Sequence, residues 1–243
     1  MSEHLYIGKN SEYLKKNPTW HREYSAWKVK KIYDILEKNR LIYDAERGDG
    51  RCRTFADVGC GAGGILSLLA EKLPANYLFE GYDISEDAIS FCETLKHEKL
   101  RFYCKNIFEI DKRFDFLMAI DVFEHIPDYY TFLKLCKEKA VYKIFHIPLD
   151  ISIVNVILNR FNHLYDLAGH IHFFTEDIAL LALRNCGYEI IDYQFTMRAF
   201  DFLVDEVKLI TKIAALPRTL LNMISPKLTS RFLGGGSLLV LAK

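Results

Sequence analysis

Asp57-Val58-Gly59-Cys60-Gly61-Ala62-Gly63-Gly64 sets four glycines behind a carboxylate, directly after an apolar run. Glycines there let the backbone turn sharply and approach a ligand that a Cβ would strike. A helix opening at this point offers free N–H groups to a carboxylate or phosphate. Asp83, in Gly81-Tyr82-Asp83-Ile84-Ser85, is a carboxylate suited to accept both hydroxyls of a ribose. A third stretch, Asp121-Val122-Phe123-Glu124-His125-Ile126-Pro127-Asp128, joins carboxylates to an imidazole, and His146, His170 and His172 follow. Neutral histidine suits proton removal near pH 7.

These residues need a scaffold, and the apolar periodicity supplies one. Arg22 to Glu46 has helical spacing, followed by the turn Arg47-Gly48-Asp49-Gly50. Strands are expected at Thr54–Val58, Tyr77–Tyr82, Leu100–Cys104, Phe114–Ile120 and Val141–Ile147. Helices are expected over Gly63–Lys72, Ser85–Leu95, with Ser85 as N-cap, and Tyr129–Lys139. That alternation implies βαβ units and a Rossmann-like, doubly wound α/β sheet with helices on both faces. Glu189–Phe195 and Ser237–Ala242 read as late strands without a short crossover between them, which suits an antiparallel edge pair.

The chain has 243 residues, 32 basic against 32 acidic, with 50% hydrophobic and 26% charged residues. This is the composition of a folded globular protein, expected here as one domain: an N-terminal helical lid (1–50), a core (51–196) with an insertion (149–170), a helical extension (197–236) and a last strand (237–243). Zero formal net charge disfavours a nucleic-acid partner. The six cysteines form no Cys-x-x-Cys pair and read as reduced thiols. With no apolar leader and no long uncharged apolar run, a cytoplasmic protein is expected.

Gly59, Gly61 and Gly64 also satisfy G-x-G-x-x-G, so a nicotinamide or flavin dinucleotide is one candidate ligand. Asp57 argues against it, because a carboxylate sits poorly beside a pyrophosphate and well beside an ammonium group. A ligand with ribose, ammonium, carboxylate and sulfonium is S-adenosylmethionine.

The chain resembles the class I S-adenosylmethionine-dependent methyltransferases over roughly Thr54 to Phe195 and the final strand. The resemblance implies that Asp57, Gly59, Cys60, Gly61 and Gly63 hold the methionine part, and Asp83 the ribose. It also implies Ile84, Asn106 and Ile107 beside the adenine, and Asp121 at the cofactor. The implied strand order is 3-2-1-4-5-7-6 with an antiparallel last strand. The D-V-x-E-H-I-P-D stretch is similar to that of small-molecule and quinone-type enzymes and departs from the N/D-P-P-Y signature of amide and base N-methyltransferases. The implied activity is methyl transfer to an O or N nucleophile of a small molecule, including a lipid- or sugar-linked one, leaving S-adenosylhomocysteine. An NAD-dependent oxidoreductase and a noncatalytic metabolite-binding module stand as alternatives.

His125, His170 and Glu124 are the catalytic candidates. Ubiquinone-pathway and small-RNA enzymes with E-x-x-E-H after strand four hold a divalent cation there; the matching set is Asp121, Glu124, His125 and His170. Such donors suit Mg²⁺, Mn²⁺ or Zn²⁺. His146 also reads as a hydrogen-bonded core residue, and His172 as packing beside Phe173 and Phe174. Asn17 to Lys28 reads as a lid or as a helix packed on the sheet, and Leu149–Gly169 as a substrate pocket wall. Asp201–Phe232, interrupted by Pro217, carries an apolar stripe with basic residues, a pattern of membrane-surface helices but more often of helices packed on their own domain.

Overall fold

The computed structural model describes residues 22–42, 52–197 and 209–243, with side chains from 217 onward in the last stretch. Seven strands form one sheet: β1 Arg53–Val58, β2 Tyr77–Asp83, β3 Leu100–Cys104, β4 Phe114–Ile120, β5 Ala140–Leu149, β6 Ile190–Met197 and β7 Gly236–Ala242. Their order is β3-β2-β1-β4-β5-β7-β6. The first five pair in parallel, whereas β7 is antiparallel to both β5 and β6. The expected order therefore holds, including the antiparallel seventh strand. A dinucleotide-binding sheet instead runs 3-2-1-4-5-6, which sets this fold apart from the oxidoreductase alternative.

Side chains alternate across the sheet because successive residues of a strand point to opposite faces. In β4, Leu117 and Ala119 join one core, while Phe116, Met118 and Ile120 join the other. The first core is closed by α4 (Tyr129–Lys139) and α7 (Glu176–Asn185), through Leu133, Cys136, Ala179 and Leu183. The second is closed by α1 (Ser25–Lys38), α2 (Gly64–Lys72) and α3 (Glu86–Cys92), through Ile32, Leu36, Leu66, Leu69 and Cys92. Phe55 stacks on Phe116 with centroids 4.4 Å apart, near the middle of that second core.

α1 stops at Lys38, short of the expected Glu46, because Asn39 turns its amide back to the Ile35 carbonyl (2.8 Å) and Arg40 adopts φ 57°. A left-handed residue just past the last turn ends a helix; residues 43–51 lie outside the described ones. The insertion folds as α5 (Ile153–Ile157) and α6 (Phe161–Ala168), and the extension as α8 (Leu209–Ile224) and α9 (Pro226–Leu233). α8 runs through Pro217 rather than stopping there. A proline removes one hydrogen bond of the ladder, and the turns on either side carry the helix past it. The apolar stripe expected over 201–216 and the lid residues up to 21 lie outside the described side chains. No described helix is long and apolar enough to cross a membrane.

Gly63 is the N-cap residue of α2, in the left-handed region at φ 72°. A Cβ there would come within 2.7 Å of the Phe102 ring and 2.9 Å of Cys92 Sγ. Gly63→Ala therefore combines backbone strain with overpacking against a buried ring, and we expect a loss of about 2–4 kcal/mol in chemical denaturation. A loss under about 0.5 kcal/mol would show that the loop adapts freely.

Candidate active site

The site lies beyond the carboxyl ends of β1, β2, β4 and β5, where open α/β sheets bind ligands. Gly59, Gly61 and Gly63 all have positive φ, which swings the loop away from β1 and into α2. The loop is tied to Asp83: the Gly61 N–H donates to Asp83 Oδ2 and the Ser85 N–H to Oδ1, both at 2.9 Å. The carboxylate keeps acceptor capacity for a ligand hydroxyl. Burial raises the Asp83 carboxyl, and its bonds from the Ser85, Gly61 and Ile84 backbone pull it back. Ile84, half exposed, follows it, and Ile107 is buried beneath the β3 end. Asn106 spends its side-chain oxygen on the Phe108 N–H (3.0 Å), leaving its amide NH₂ exposed at the rim.

Asp57 is 3% exposed and its Oδ1 has no partner. Burial, reinforced by the charge of Asp83, pushes its carboxyl up to about 8 against the pull of Lys28. A buried acceptor without a donor is costly, and this one is suited to a cationic group brought in by a ligand.

Lys28 of α1 reaches Asp121 Oδ2 at 2.6 Å, a contact between residues 93 apart in sequence. Asp121 stands at φ 56° just past β4, which turns its carboxylate toward α1 and β5. Its other oxygen meets His146 Nδ1, and His146 Nε2 lies 2.8 Å from Thr196 Oγ1. The Thr196 hydroxyl also donates to the Ser237 carbonyl (3.3 Å). Burial alone would raise the Asp121 carboxyl, but His146 and Lys28 together hold it well below the usual carboxylate range. Trp27 stands edge-on to His146 at 6.0 Å. His146 thus serves as a bonded core residue that fastens α1 over the sheet. Nothing in the sequence signalled Lys28 as a partner of Asp121, because the contact is made only when α1 packs on the β4 end.

Glu124 is fully buried in the short helical turn after β4, and neither carboxylate oxygen has a hydrogen-bond partner, although Oε1 lies 3.9 Å from His125 Nε2. Burial and the charge of Asp121 push it well above the usual range. His125 Nδ1 is bonded to the Gly169 carbonyl (3.0 Å) and His170 Nδ1 to Asp150 Oδ2 (2.7 Å). In both rings it is Nδ1 that makes the bond. The ligand atoms of Glu124, His125 and His170 lie within 4.8 Å of one another. Burial, then the charge of His170, lowers His125 to about 4, so its ring is neutral at physiological pH. Of the four residues expected as metal ligands, Asp121 stands apart from this group, since Lys28 and His146 occupy both its oxygens. His172 also stands apart: Nε2 is bonded to the Ile126 carbonyl (3.0 Å), and its ring packs on Tyr129 rather than on Phe173 or Phe174. Asp150 and Gly169, which orient the two imidazoles, were not legible in sequence.

The insertion expected to wall a substrate pocket borders a cavity of about 400 Å³. Ile153, Val156 and Ile157 line it from α5, and Thr175, Asp177 and Arg231 from the opposite side.

A family model described as a methyltransferase domain matches residues 53–172, the stretch that holds the glycine loop, Asp83 and the Glu124–His170 group. Over residues 53–172 the chain is similar to methyltransferase domains. The chain is similar to a ubiquinone biosynthesis O-methyltransferase of Coxiella burnetii, 29% identical over 117 residues. That alignment covers 46% of this chain and 48% of the relative, so the chain spans about half the length of the curated relatives it matches. In fold it is similar to magnesium protoporphyrin IX methyltransferase of Synechocystis PCC 6803 with bound S-adenosylhomocysteine, at 15% identity and TM-score 0.53 over 97% of this chain and 88% of that one. A S-adenosylmethionine-dependent methyltransferase of Archaeoglobus fulgidus aligns at 21% identity and TM-score 0.54, over 88% and 94%.

Proposed function

We propose that the chain transfers a methyl group from S-adenosylmethionine to an oxygen nucleophile of a small-molecule acceptor, with a divalent cation held by Glu124, His125 and His170. The observation that carries this reading is the buried Glu124 carboxylate, unpartnered and facing two imidazoles whose outer nitrogens are already bonded. Metal-ligating histidines commonly donate their second N–H to a carboxylate or carbonyl in this way. The O-methyltransferase relatives favour oxygen over nitrogen as the methylated atom.

Bound S-adenosylmethionine supplies an electrophilic methyl group, and a cation lowers the pKa of a hydroxyl presented to it. The protein's own part is placement and water exclusion. Asp83 takes the ribose hydroxyls, the loop from Gly59 to Gly63 leaves room for the methionine part, and Asp57 faces its ammonium. Lys28 and Trp27 hold α1 across the site. His125, at a pKa of about 4, is a weak base and a good neutral ligand.

The deciding assay follows S-adenosylhomocysteine formation from phenols and catechols, with cation present or chelated. Turnover lost on chelation and restored by Mn²⁺ or Mg²⁺ is expected. Turnover indifferent to chelator would remove the cation from the reading, and NADH binding without adenosyl-ligand binding would remove the methyltransferase.

Asp57 provides a separate test. Its folded pKa, about 8, lies above the unfolded value near 4, so its stability contribution is fully present below pH 4 and is lost as pH rises through 8. The cost above pH 8 is on the order of several kcal/mol. Asp57→Asn should flatten that pH dependence of Tm. Binding of the ligand ammonium favours the ionised carboxylate, so titration at pH 7 in buffers of different ionisation enthalpy should show close to one proton released, and none for Asp57→Asn. Equal proton release in both proteins would break the assignment.

A further inference from the structure

The insertion and the extension carry their apolar residues outward. α5 reads Ile153-Val154-Asn155-Val156-Ile157, α6 follows it, and neither helix has a buried residue. Ile157 is 74% exposed, and Met223 and Ile224 at the end of α8 are 79% and 80% exposed. α9 is inverted relative to a helix that packs its apolar face inward. Its buried residues are Thr229 and Ser230, whereas Leu228 and Phe232 are exposed. The Thr229 hydroxyl is satisfied inside, donating to the Ser225 carbonyl at 3.0 Å. Of the twenty exposed large hydrophobic residues among those described, eleven lie in 153–167 and 220–232, so they are gathered rather than scattered. These segments are also neighbours in space. α8 packs on α9 and α9 on α5. The Gly234 turn after α9 abuts Ser152 and Asn155, and Ile153, Val156, Ile157 and Arg231 line one hollow.

Single exposed hydrophobic residues are ordinary, but a contiguous apolar face marks a binding surface. Charge decides its occupant. Residues 207–235 hold Lys208, Lys212, Arg218, Lys227 and Arg231 and no acidic residue, in a chain with 32 basic and 32 acidic residues. Lys227 and Arg231 pair with Glu176 and Asp177, and with both carboxylates counted an excess of three cations is left. A second copy meeting this face about a two-fold axis would set that excess against itself. An anionic bilayer attracts it instead, and offers an acyl boundary to the apolar side chains. We propose that α5, the end of α8 and α9 form a surface that docks on anionic lipid membranes. Ile157, Met223 and Ile224 enter the acyl boundary, while Lys227 and Arg231, both with side chains 43% exposed, meet the headgroups. This surface uses none of the residues assigned to the cofactor or the cation, and stands whether or not the methyl-transfer reading does.

The test is co-sedimentation of the full chain with vesicles of phosphatidylglycerol mixed into phosphatidylcholine, against phosphatidylcholine alone. Each basic group near an anionic surface contributes roughly a fivefold change in partition. Two such groups amount to about 25-fold, so the anionic vesicles should bind at least that much more tightly, and less so at high salt. The main variant combines Met223→Ser with Ile224→Ser, at side chains that water already reaches, so the parental Tm is expected. Removing two side chains from the acyl boundary should weaken binding to the anionic vesicles at least about tenfold. Leu135→Ser, at an exposed leucine of α4 outside this face, should bind as the parent does. Absence of binding, equal binding to both kinds of vesicle, or unchanged affinity in the double variant would refute the membrane surface. A lipid-free dimer in sedimentation velocity that the double variant abolishes would give the face to a second copy, and would overturn the proposal as well.

Discussion

Asp83→Ala is expected to raise the Kd for S-adenosylhomocysteine by at least about 100-fold. Hydrogen bonds to a charged group contribute about 1.5–3 kcal/mol each, and in the proposed function two ribose hydroxyls bond this carboxylate. The same change frees the Gly61 and Ser85 N–H groups that now end on Asp83, so the glycine loop loses its tether. Asp83→Asn separates these roles from mere packing. An amide of the same shape has one acceptor and one NH₂, and the NH₂ must face either Gly61 N–H or Ser85 N–H, both of them donors. The asparagine variant should therefore bind nearly as poorly as alanine, in calorimetry run beside NADH. Affinity within twofold of the parent in Asp83→Asn would mean that the ribose is held elsewhere.

Glu124→Met has two effects of opposite sign. The methionine fills a similar volume and removes two buried oxygens that have no partner, so the cation-free protein should gain about 1–2 kcal/mol, or a few degrees in Tm. The parent should melt several degrees higher in saturating Mn²⁺ or Zn²⁺, since a ligand at 100 times its Kd stabilises by about 2.7 kcal/mol. In Glu124→Met that shift should vanish, and S-adenosylhomocysteine formation should fall at least about 100-fold. A variant less stable without cation, and still responsive to it, would show that Glu124 has a structural role and lies outside the cation site. The pH dependence has a defined direction as well. Because the Glu124 pKa is raised on folding, its stabilising contribution is present at low pH and is lost as pH climbs. The methionine variant should lack that decline.

The arrangement suggests why a stable protein retains so unfavourable a group. Asp57 and Glu124 are both buried carboxylates with oxygens that lack a hydrogen bond, near the carboxyl ends of the neighbouring strands β1 and β4. Asp121, which neighbours them, is satisfied by Lys28 and His146. Desolvated acceptors tend to collect where a ligand completes their bonding, and structural carboxylates acquire partners from the protein itself.

The glycine loop, Asp83, the alternation of strands and helices and the late antiparallel pair were all legible in the chain. They depend on local rules: which residues tolerate positive φ, which alternate with period two, which cap a helix. The D-V-x-E-H-I-P-D stretch likewise marked Glu124 and His125, which are adjacent in sequence. What joins residues across the chain was decided by packing. Lys28 meets Asp121 because α1 lies over the end of β4, and His170 meets His125 because Asp150 and the Gly169 carbonyl orient the two rings. Asp121 was placed with the cation ligands by the family resemblance, and its left-handed backbone turned it instead toward α1 and His146. The course of α8 through Pro217 and the bond from Arg218 to the Leu233 carbonyl belong to the same class. Local sequence sets the conformation of a segment, whereas the partner of a charged side chain is set by which elements the hydrophobic cores press together.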